Sequence, residues 1–286
     1  MADLSYLDSI VLGIVEGLTE YLPVSSTGHL TITEKLIGLE VNDPAVTAYT
    51  AVIQLGAIAA TLLFFWKDIV RFATAWFRGL ANADQRADPD YGLAWAVVIG
   101  SIPVGLVGFG LRDLISGGLR SLWVVAAALV LWSGVMVVSE RLYARHAASG
   151  TVRGEHDVRP MDGLVIGLVQ CFSLIPGVSR SGATISMGIA RGIDRVTATR
   201  LSFFLAIPAL TAAGLFEAVK ERTDLAGLGI GPIIVGIVVA FVVAYASIAW
   251  LLRFVASNTL LPFVWYRVAL GLVLAVALGA SWITAT

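Results

Sequence analysis

The stretch at residues 16–30, EGLTEYLPVSSTGHL, decides how this chain is organised. It carries two carboxylates, Glu16 and Glu20, three consecutive hydroxyl residues and His29. The chain around it is 58% hydrophobic and only 14% charged, with a mean hydropathy of +0.86. Because a soluble domain carries about 25% charged residues, the composition predicts an integral membrane protein. A charged group near a bilayer centre costs about 2.5 to 3.5 kcal/mol on insertion scales, so this polar stretch needs a functional explanation.

The overall charge argues against a nucleic-acid-binding protein, and the cysteine count against a disulfide-bonded one. The net charge of −1 gives no basic footprint for nucleic acid. The single cysteine, Cys171, excludes an intramolecular disulfide. No basic residue precedes the first apolar run, which predicts that there is no cleaved signal peptide.

Uncharged runs of about 20 residues predict spanning helices, because the hydrocarbon core is about 30 Å thick and a helix rises about 1.5 Å per residue. Six such runs occur, the last interrupted only by Arg267: residues 48–66, 91–111, 122–139, 201–216, 232–252 and 260–283. Two further runs, 10–22 and 164–175, are too short to span and are typical of re-entrant segments. Each leads into a proline that is followed by a cluster of Gly, Ser and Thr residues.

The two short runs resemble each other. Residues 8–28 align without a gap with residues 162–182, at an offset of 154. The alignment pairs Asp8 with Asp162 and Glu16 with Gln170, and it also matches glycines and serines. Such matched polar residues indicate an internal duplication rather than chance similarity between apolar helices.

The duplication predicts one all-α membrane domain over 1–286, with repeats at about 1–143 and 160–286. Each repeat is predicted to contain a re-entrant helix hairpin and three transmembrane helices. Because three is odd, the second repeat must start from the opposite side of the membrane, which is an inverted-topology repeat.

The basic residues orient this arrangement in the membrane. Eleven of them fall on one predicted face and five on the other, namely Lys35, Arg112, Arg120, Lys220 and Arg222. The richer face is predicted to be cytoplasmic. The first hairpin then enters from outside, and the site opens to the extracytoplasmic side of the plasma membrane.

Other charged residues receive simpler interpretations. The residues of the loop at 144–160, including His146, Arg153, Glu155 and His156, are interpreted as a solvated loop. Arg200 and Arg267 lie near predicted cytoplasmic helix ends, where a long side chain reaches the interface.

The two hairpin tips are the predicted site. Non-helical backbone is tolerated at membrane depth only where protein or water covers it, so we expect the tips to meet inside the protein. After each proline a short helix restarts, and its free N–H groups and positive dipole end attract anions. Ser25 or Ser26, and Ser179 or Ser181, are candidate caps. Arg180 at the second tip suits bidentate capture of phosphate oxygens.

The first tip carries groups suited to catalysis. Glu16 and Glu20 share a helix face, and two close carboxylates need a cation or a shared proton. A divalent ion such as Mg²⁺, held by carboxylates and substrate phosphates, fits this pair; the alternative is a hydrogen-bonded pair inside the bundle. His29 follows Ser26 by three residues and is a candidate acid or base, or else a core histidine. Ser25, Ser26 and Thr27 are candidate caps, phosphate ligands or nucleophile.

Two motifs carry a resemblance to a known family. EGLTEYLPVSSTGHL, with its E-x-x-x-E pair, and PGVSRSGAT at 176–184 resemble the signatures of the undecaprenyl-diphosphatase family of the bacitracin-resistance type. The resemblance covers essentially the whole chain. It implies a membrane phosphatase that converts a polyprenyl diphosphate lipid to the monophosphate, recycling the carrier for peptidoglycan synthesis and conferring bacitracin tolerance.

The resemblance also implies roles for individual residues. Glu20, Ser26, His29 and Arg180 would be catalytic, and Glu16 and Glu20 would bind a divalent cation, Mg²⁺ or Ca²⁺. Phosphate would be bound by Arg180 together with five hydroxyl residues, Ser25, Thr27, Ser179, Ser181 and Thr184. The nucleophile stays open between Ser26, His29 and a metal-bound water. A homodimer is also left open.

A transporter or flippase for a phosphate-bearing lipid is the alternative function. Inverted repeats whose broken helices point their N-termini at an anionic substrate are typical of transporters. The cluster of two glutamates, a serine and a histidine at one tip favours hydrolysis, because binding alone does not require it.

Overall fold

The computed structural model describes residues 4–41, 43–111, 121–221, 225 and 227–285. These residues form eleven α-helices, and their one β-type pairing is an isolated bridge between Arg153 and Ile193. The predicted first repeat contains α1 (Tyr6–Thr19), α2 (Ser26–Leu36), α3 (Pro44–Phe64), α4 (Trp66–Ala81), α5 (Pro89–Gly110) and α6 (Leu122–Ala148). The second contains α7 (Pro160–Gln170), α8 (Arg180–Ala190), α9 (Arg195–Lys220), α10 (Ile230–Ser257) and α11 (Leu261–Gly279).

Six of these helices are long and apolar enough to cross a membrane: α3, α5, α6, α9, α10 and α11. They correspond to the six predicted spans, three in each repeat. Large apolar side chains such as Leu106, Phe109 and Trp265 point outward from them, as lipid-facing residues do. The chain is therefore a multi-pass membrane protein. Arg112, Arg120 and Arg222, which enter the charge count, lie outside the described residues.

The two short segments form the two predicted helix hairpins. In the first, α1 ends before Pro23 and α2 restarts at Ser26; in the second, α7 continues as a short 3₁₀ turn, Cys171–Leu174, and α8 restarts at Arg180. Both restarted helices have 11 residues and begin at positions that differ by the same 154 residues as the sequence alignment. The opposite orientation of the two repeats across a membrane stays a prediction.

Each hairpin packs against a span of the other repeat. Helix α1 lies along α10, and α7 lies along α5. At the contacts, the matched residues Gly13 and Gly167 lie against the carbonyls of Gly236 and Gly100, where an added methyl group would collide. Small residues allow such close approach between membrane helices. This exchange of partners brings the two tips to the same place in the interior.

Two features differ from the expectations. The amphipathic helix α4 follows the first span directly and was not predicted, because its many charged residues read as a loop. The loop after α6 is not simply solvated: Glu155 pairs with Arg71 (2.5 Å) and with Arg200 (2.7 Å), and Arg200 also pairs with Asp68 (2.9 Å). The interpretation of Arg200 as a snorkelling side chain was therefore wrong, since it ties three segments together.

Candidate active site

The two hairpin tips meet, as predicted. Arg180 at the second tip donates from Nη2 to Oε1 of Glu20 (3.0 Å) and to the Glu20 carbonyl (3.4 Å) at the first tip. The Ser181 hydroxyl donates to the Leu22 carbonyl at 3.0 Å. Side-chain contacts therefore join residues about 160 positions apart in the sequence.

The backbone of both tips is held in the same unusual conformation. Ser25 has φ = 80° and Ser179 has φ = 75°, in the left-handed region that favours glycine. Such a conformation costs about 1–3 kcal/mol and concentrates at functional sites. Each serine caps its restarted helix, since Ser25 Oγ accepts from the Gly28 N–H (3.3 Å) and Ser179 Oγ accepts from the Gly182 N–H (3.1 Å). Of the candidate caps, Ser25 and Ser179 are the ones that cap the restarted helices.

Glu20 is the centre of the cluster, and its carboxylate is buried. The Ser26 hydroxyl donates to Oε2 at 2.6 Å, and the Gln54 amide of α3 donates to the same oxygen at 3.2 Å. Together with Arg180 on Oε1, these donors bind both oxygens of the Glu20 carboxylate. Glu20 is thus placed to accept the proton of the Ser26 hydroxyl.

Arg180 is fixed from behind by α9. Its Nη1 donates to the Ser202 carbonyl (2.9 Å), and the Thr184 hydroxyl donates to Ser202 Oγ (2.6 Å). The Arg180 Nε is buried and has no hydrogen-bond partner among the described residues. The guanidinium is therefore oriented, and its Nε donor is unpaired within the described residues.

Glu16 lies fully buried, and neither of its carboxylate oxygens has a hydrogen-bond partner of good geometry among the described residues. Its electrostatic neighbours are Glu20, Gln54 and Arg180. A buried carboxylate without a partner is costly unless it binds a cation or a proton.

No group of three or more His, Cys, Asp or Glu side chains is arranged for a metal within the part of the chain that the structure describes. Mg²⁺, however, is commonly bound by one or two carboxylates together with substrate phosphates. Glu16 and Glu20 fit that role.

His29 is engaged away from Ser26. Its Nδ1 lies 2.7 Å from the Ser25 carbonyl, and its Nε2 lies 2.6 Å from the Tyr266 hydroxyl of α11. Because a carbonyl only accepts, Nδ1 carries the proton and the neutral ring presents a lone pair at Nε2. The sequence correctly placed His29 one turn after Ser26, but it did not show that the two have different partners.

An apolar groove opens beside His29. It encloses about 340 Å³ and is lined by Leu18, Thr19, Leu22, Val24, His29, Pro262, Phe263 and Tyr266. Its walls come from α1, the first tip, α2 and α11. A largely apolar cavity that ends at polar groups suits a ligand with an apolar chain and a charged head.

Arg267 corrects a sequence interpretation. It is fully buried rather than snorkelling, and its Nη1 and Nη2 donate to the carbonyls of Pro23 (3.3 Å) and Gly177 (2.9 Å), one from each tip turn. It also reaches the Ala128 carbonyl and the Ser133 hydroxyl of α6. Arg267 therefore links the two tips from behind. The sequence could have identified Arg267 as a functional residue, because it is the one charge inside an uncharged run and charges within a membrane span are functional candidates by default.

Three further site residues were missed or given no role, namely Gln54, Ser202 and Tyr266. A single amide or hydroxyl in an apolar helix carries little sequence signal, since it can hydrogen-bond within its own helix. Of the predicted phosphate ligands, Thr27 is exposed and has no hydrogen bond to the tip groups within the described structure. The roles assigned to individual site residues stay predictions.

Known proteins resemble the chain along nearly its full length. A family model described as bacitracin resistance protein BacA matches residues 9–273. The undecaprenyl-diphosphatase of Cutibacterium acnes is 52% identical over 279 residues, covering 95% of this chain and 96% of that protein. The undecaprenyl-diphosphatase of Acidothermus cellulolyticus is 53% identical over 272 residues, covering 95% and 96%. Undecaprenyl-diphosphatase 1 of Frankia alni is 52% identical over 286 residues, the whole of both chains.

Proposed function

The chain belongs to the family of the bacitracin resistance protein BacA, and on that premise we propose that it hydrolyses undecaprenyl diphosphate to the monophosphate and inorganic phosphate. The reaction returns the carrier lipid to cell-wall glycan synthesis and confers bacitracin tolerance. The observation that carries the proposal is the Glu20 carboxylate, which holds the Ser26 hydroxyl and the Arg180 guanidinium at once. The relatives favour hydrolysis over the transporter alternative.

The substrate diphosphate is held at the meeting of the tips. Two helix N-termini, at Ser26 and Arg180, direct free N–H groups and positive dipole ends toward it. Arg180 contributes charge and a free Nε donor. Positioning and charge stabilisation of this kind supply most of the catalysis of phosphoryl transfer.

Ser26 is the nucleophile in this proposal. Its Oγ attacks the terminal phosphorus while Glu20 takes the hydroxyl proton over the 2.6 Å hydrogen bond. The bond from phosphorus to the bridging oxygen breaks, and the polyprenyl monophosphate leaves. Water then hydrolyses the phosphoserine and releases inorganic phosphate, and the serine recovers the proton from Glu20.

A divalent cation, Mg²⁺ or Ca²⁺, would be held by Glu16 and Glu20 and would neutralise negative charge on the phosphoryl oxygens. The support for it is the buried Glu16 carboxylate, which no hydrogen bond of good geometry satisfies within the described structure. Glu16 has no other chemical task in this scheme.

The apolar groove receives the lipid. Its lining of Leu18, Leu22, Val24 and Phe263 suits the first isoprene units, while His29 marks the end nearest the phosphates. The lipid thus approaches from the side of the protein, within the bilayer plane.

The assay that tests this function is phosphate release from a long-chain polyprenyl diphosphate by the purified protein in detergent, with and without EDTA. We expect release that EDTA stops and added Mg²⁺ or Ca²⁺ restores. Binding of the lipid without phosphate release under either condition would favour the transporter alternative.

We place the protein in the plasma membrane with its site open to the outside. In a Cys171→Ser background, Glu40→Cys should react with an impermeant thiol reagent in intact cells and Ser149→Cys should not; both natural residues are exposed. The reverse labelling pattern would put the first hairpin on the cytoplasmic side. Light scattering of the purified protein decides whether it forms a homodimer.

A further inference from the structure

Building on the proposed hydrolysis, we propose that Tyr266 is a positioning residue that holds the His29 imidazole at the mouth of the apolar groove in both of its protonation states. Tyr266 lies on α11, in the second repeat, and His29 lies on α2, in the first. Their contact therefore depends on the assembled fold.

Two contacts of different kinds define the pair. The Tyr266 hydroxyl lies 2.6 Å from His29 Nε2, and the two rings stack with centroids 5.6 Å apart and an interplanar angle of 10°. On the other side of the ring, Nδ1 is held by the Ser25 carbonyl at 2.7 Å. The imidazole is therefore fixed at both nitrogens, and its ring lies nearly parallel to that of Tyr266.

A tyrosine hydroxyl can satisfy Nε2 in either state. It donates to the lone pair of the neutral ring, and it accepts from Nε2–H once the ring is protonated. The ring then has no need to turn when it gains or loses a proton. A phenylalanine at position 266 would keep the aromatic ring but could not hydrogen-bond to Nε2 in either protonation state.

The distribution of partners gives His29 a task separate from that of Glu20. Glu20 already bonds the Ser26 hydroxyl, so it takes the first proton. His29 is left for the water that attacks the phosphoserine: the water oxygen bonds to phosphorus, the phosphorus–Oγ bond breaks, and a water proton passes to the Tyr266 oxygen while the Tyr266 hydroxyl proton passes to Nε2. The Tyr266 hydroxyl reverses its hydrogen bond as Nε2 becomes a donor, and the proton then leaves with the product or solvent.

The experiment compares Tyr266→Phe with Tyr245→Phe as a matched control. Tyr245 is similarly half-exposed, on α10, and contacts Phe64 and Phe241 by its ring. We expect Tyr266→Phe to lower kcat about 10-fold, part of the ~10²–10⁴-fold that acid–base groups contribute, and to leave KM within about twofold. The control should match the wild type.

A double-mutant cycle separates positioning from a general structural role. If Tyr266 acts through His29, adding Tyr266→Phe to His29→Gln should cause no further loss of kcat. A further loss equal to that in the wild-type background, or a normal kcat for Tyr266→Phe alone, would overturn the proposal.

An NMR measurement keeps the test independent of turnover. The chain has only three histidines, so ¹⁵N-histidine labelling gives few signals, and His29→Gln assigns those of His29. The wild type should show a protonated Nδ1 and a hydrogen-bonded Nε2 that loses its bond in Tyr266→Phe. A neutral His29 protonated at Nε2, or a spectrum that Tyr266→Phe leaves unchanged, would contradict the inference even if phosphate release were absent.

Discussion

The first and second hairpin tips share a backbone and differ in their side chains. In both, a serine with a positive φ angle caps an 11-residue helix that restarts after a proline. The first tip carries Glu16, Glu20, Ser26 and His29, whereas the second has Gln170 in place of Glu16 and Arg180 in place of Ser26. The common backbone supplies two converging helix N-termini, and the different side chains divide the chemistry. In the proposed reaction, the first tip holds the nucleophile and the acid–base groups, and the second holds the Arg180 guanidinium that binds the phosphate.

The outer ends of the hairpins differ in a second way. Asp8 and Asp162, matched by the sequence alignment, both accept a hydrogen bond from the backbone N–H of the N-cap residue of their helix, Ser5 and Arg159. Asp162 is fully buried, and its carboxylate also accepts hydrogen bonds of 2.7–2.9 Å from both terminal nitrogens of Arg153 and from the Nε of Arg191. The second hairpin is thus anchored by charge at its outer end.

The largest expected effect comes from removing the charge of the second tip. Arg180→Ala should lower phosphate release about 10³-fold or more, because arginines that stabilise transferring phosphoryl groups contribute about 10³–10⁵-fold. The exposed Arg141→Ala is the matched control. Near-normal turnover of Arg180→Ala would refute the two-tip phosphate site.

The next change makes the first tip resemble the second. Glu16→Gln should lower turnover and weaken the response to Mg²⁺ about 10–100-fold, the range seen when metal sites are weakened. Titrating Mg²⁺ into the EDTA-treated variant measures this, and high Mg²⁺ should restore part of the activity. The mirror variant Gln170→Glu should create no second site, since Arg180 already pairs with Glu20. An unchanged Mg²⁺ response in Glu16→Gln would show that Glu16 does not bind the cation.

Much of this comparison could be predicted from the sequence. Hydrophobic length predicted the six spans, and the match at an offset of 154 predicted two hairpins with restarting helices. The meeting of the tips followed from the rule that irregular backbone must be covered at membrane depth.

The partners of the side chains could not be predicted in the same way. His29 contacts Tyr266, and Ser26 contacts Glu20, because of how each helix is rotated about its own axis. A helix with apolar residues on all sides gives no sequence pattern from which that rotation can be predicted. Arg267 was misjudged because its place in the sequence suggests a helix end. In the fold, the first turns of α11 lie inside the protein, where Arg267 contacts a carbonyl of each tip.

A smaller effect is expected from separating the tips without touching their chemistry. Arg267→Met should reduce turnover about 10-fold through misplacement of the tips, a loss within what imperfect orientation can cause. It should also lower thermal stability, because each buried carbonyl left without a donor costs about 1–3 kcal/mol. Arg267→Lys should restore part of both. A stable, fully active Arg267→Met would show that the tips are held by their own contacts.

The smallest effect on activity should come from the outer ends of the hairpins. Asp162→Asn removes the charge that pairs with Arg153 and Arg191, whose side chains are 25% and 31% exposed, and should destabilise the protein by about 1.5–3 kcal/mol, the usual contribution of hydrogen bonds to a charged group. Turnover below the melting temperature should stay within about twofold of the wild type, because Arg180 is also fixed by Ser202. The matched Asp8→Asn should cost only about 1 kcal/mol, the loss of a cap. Thermal melts in detergent compare the two variants; equal destabilisation would mean that the two hairpins are anchored alike, and that their difference lies only at the tips.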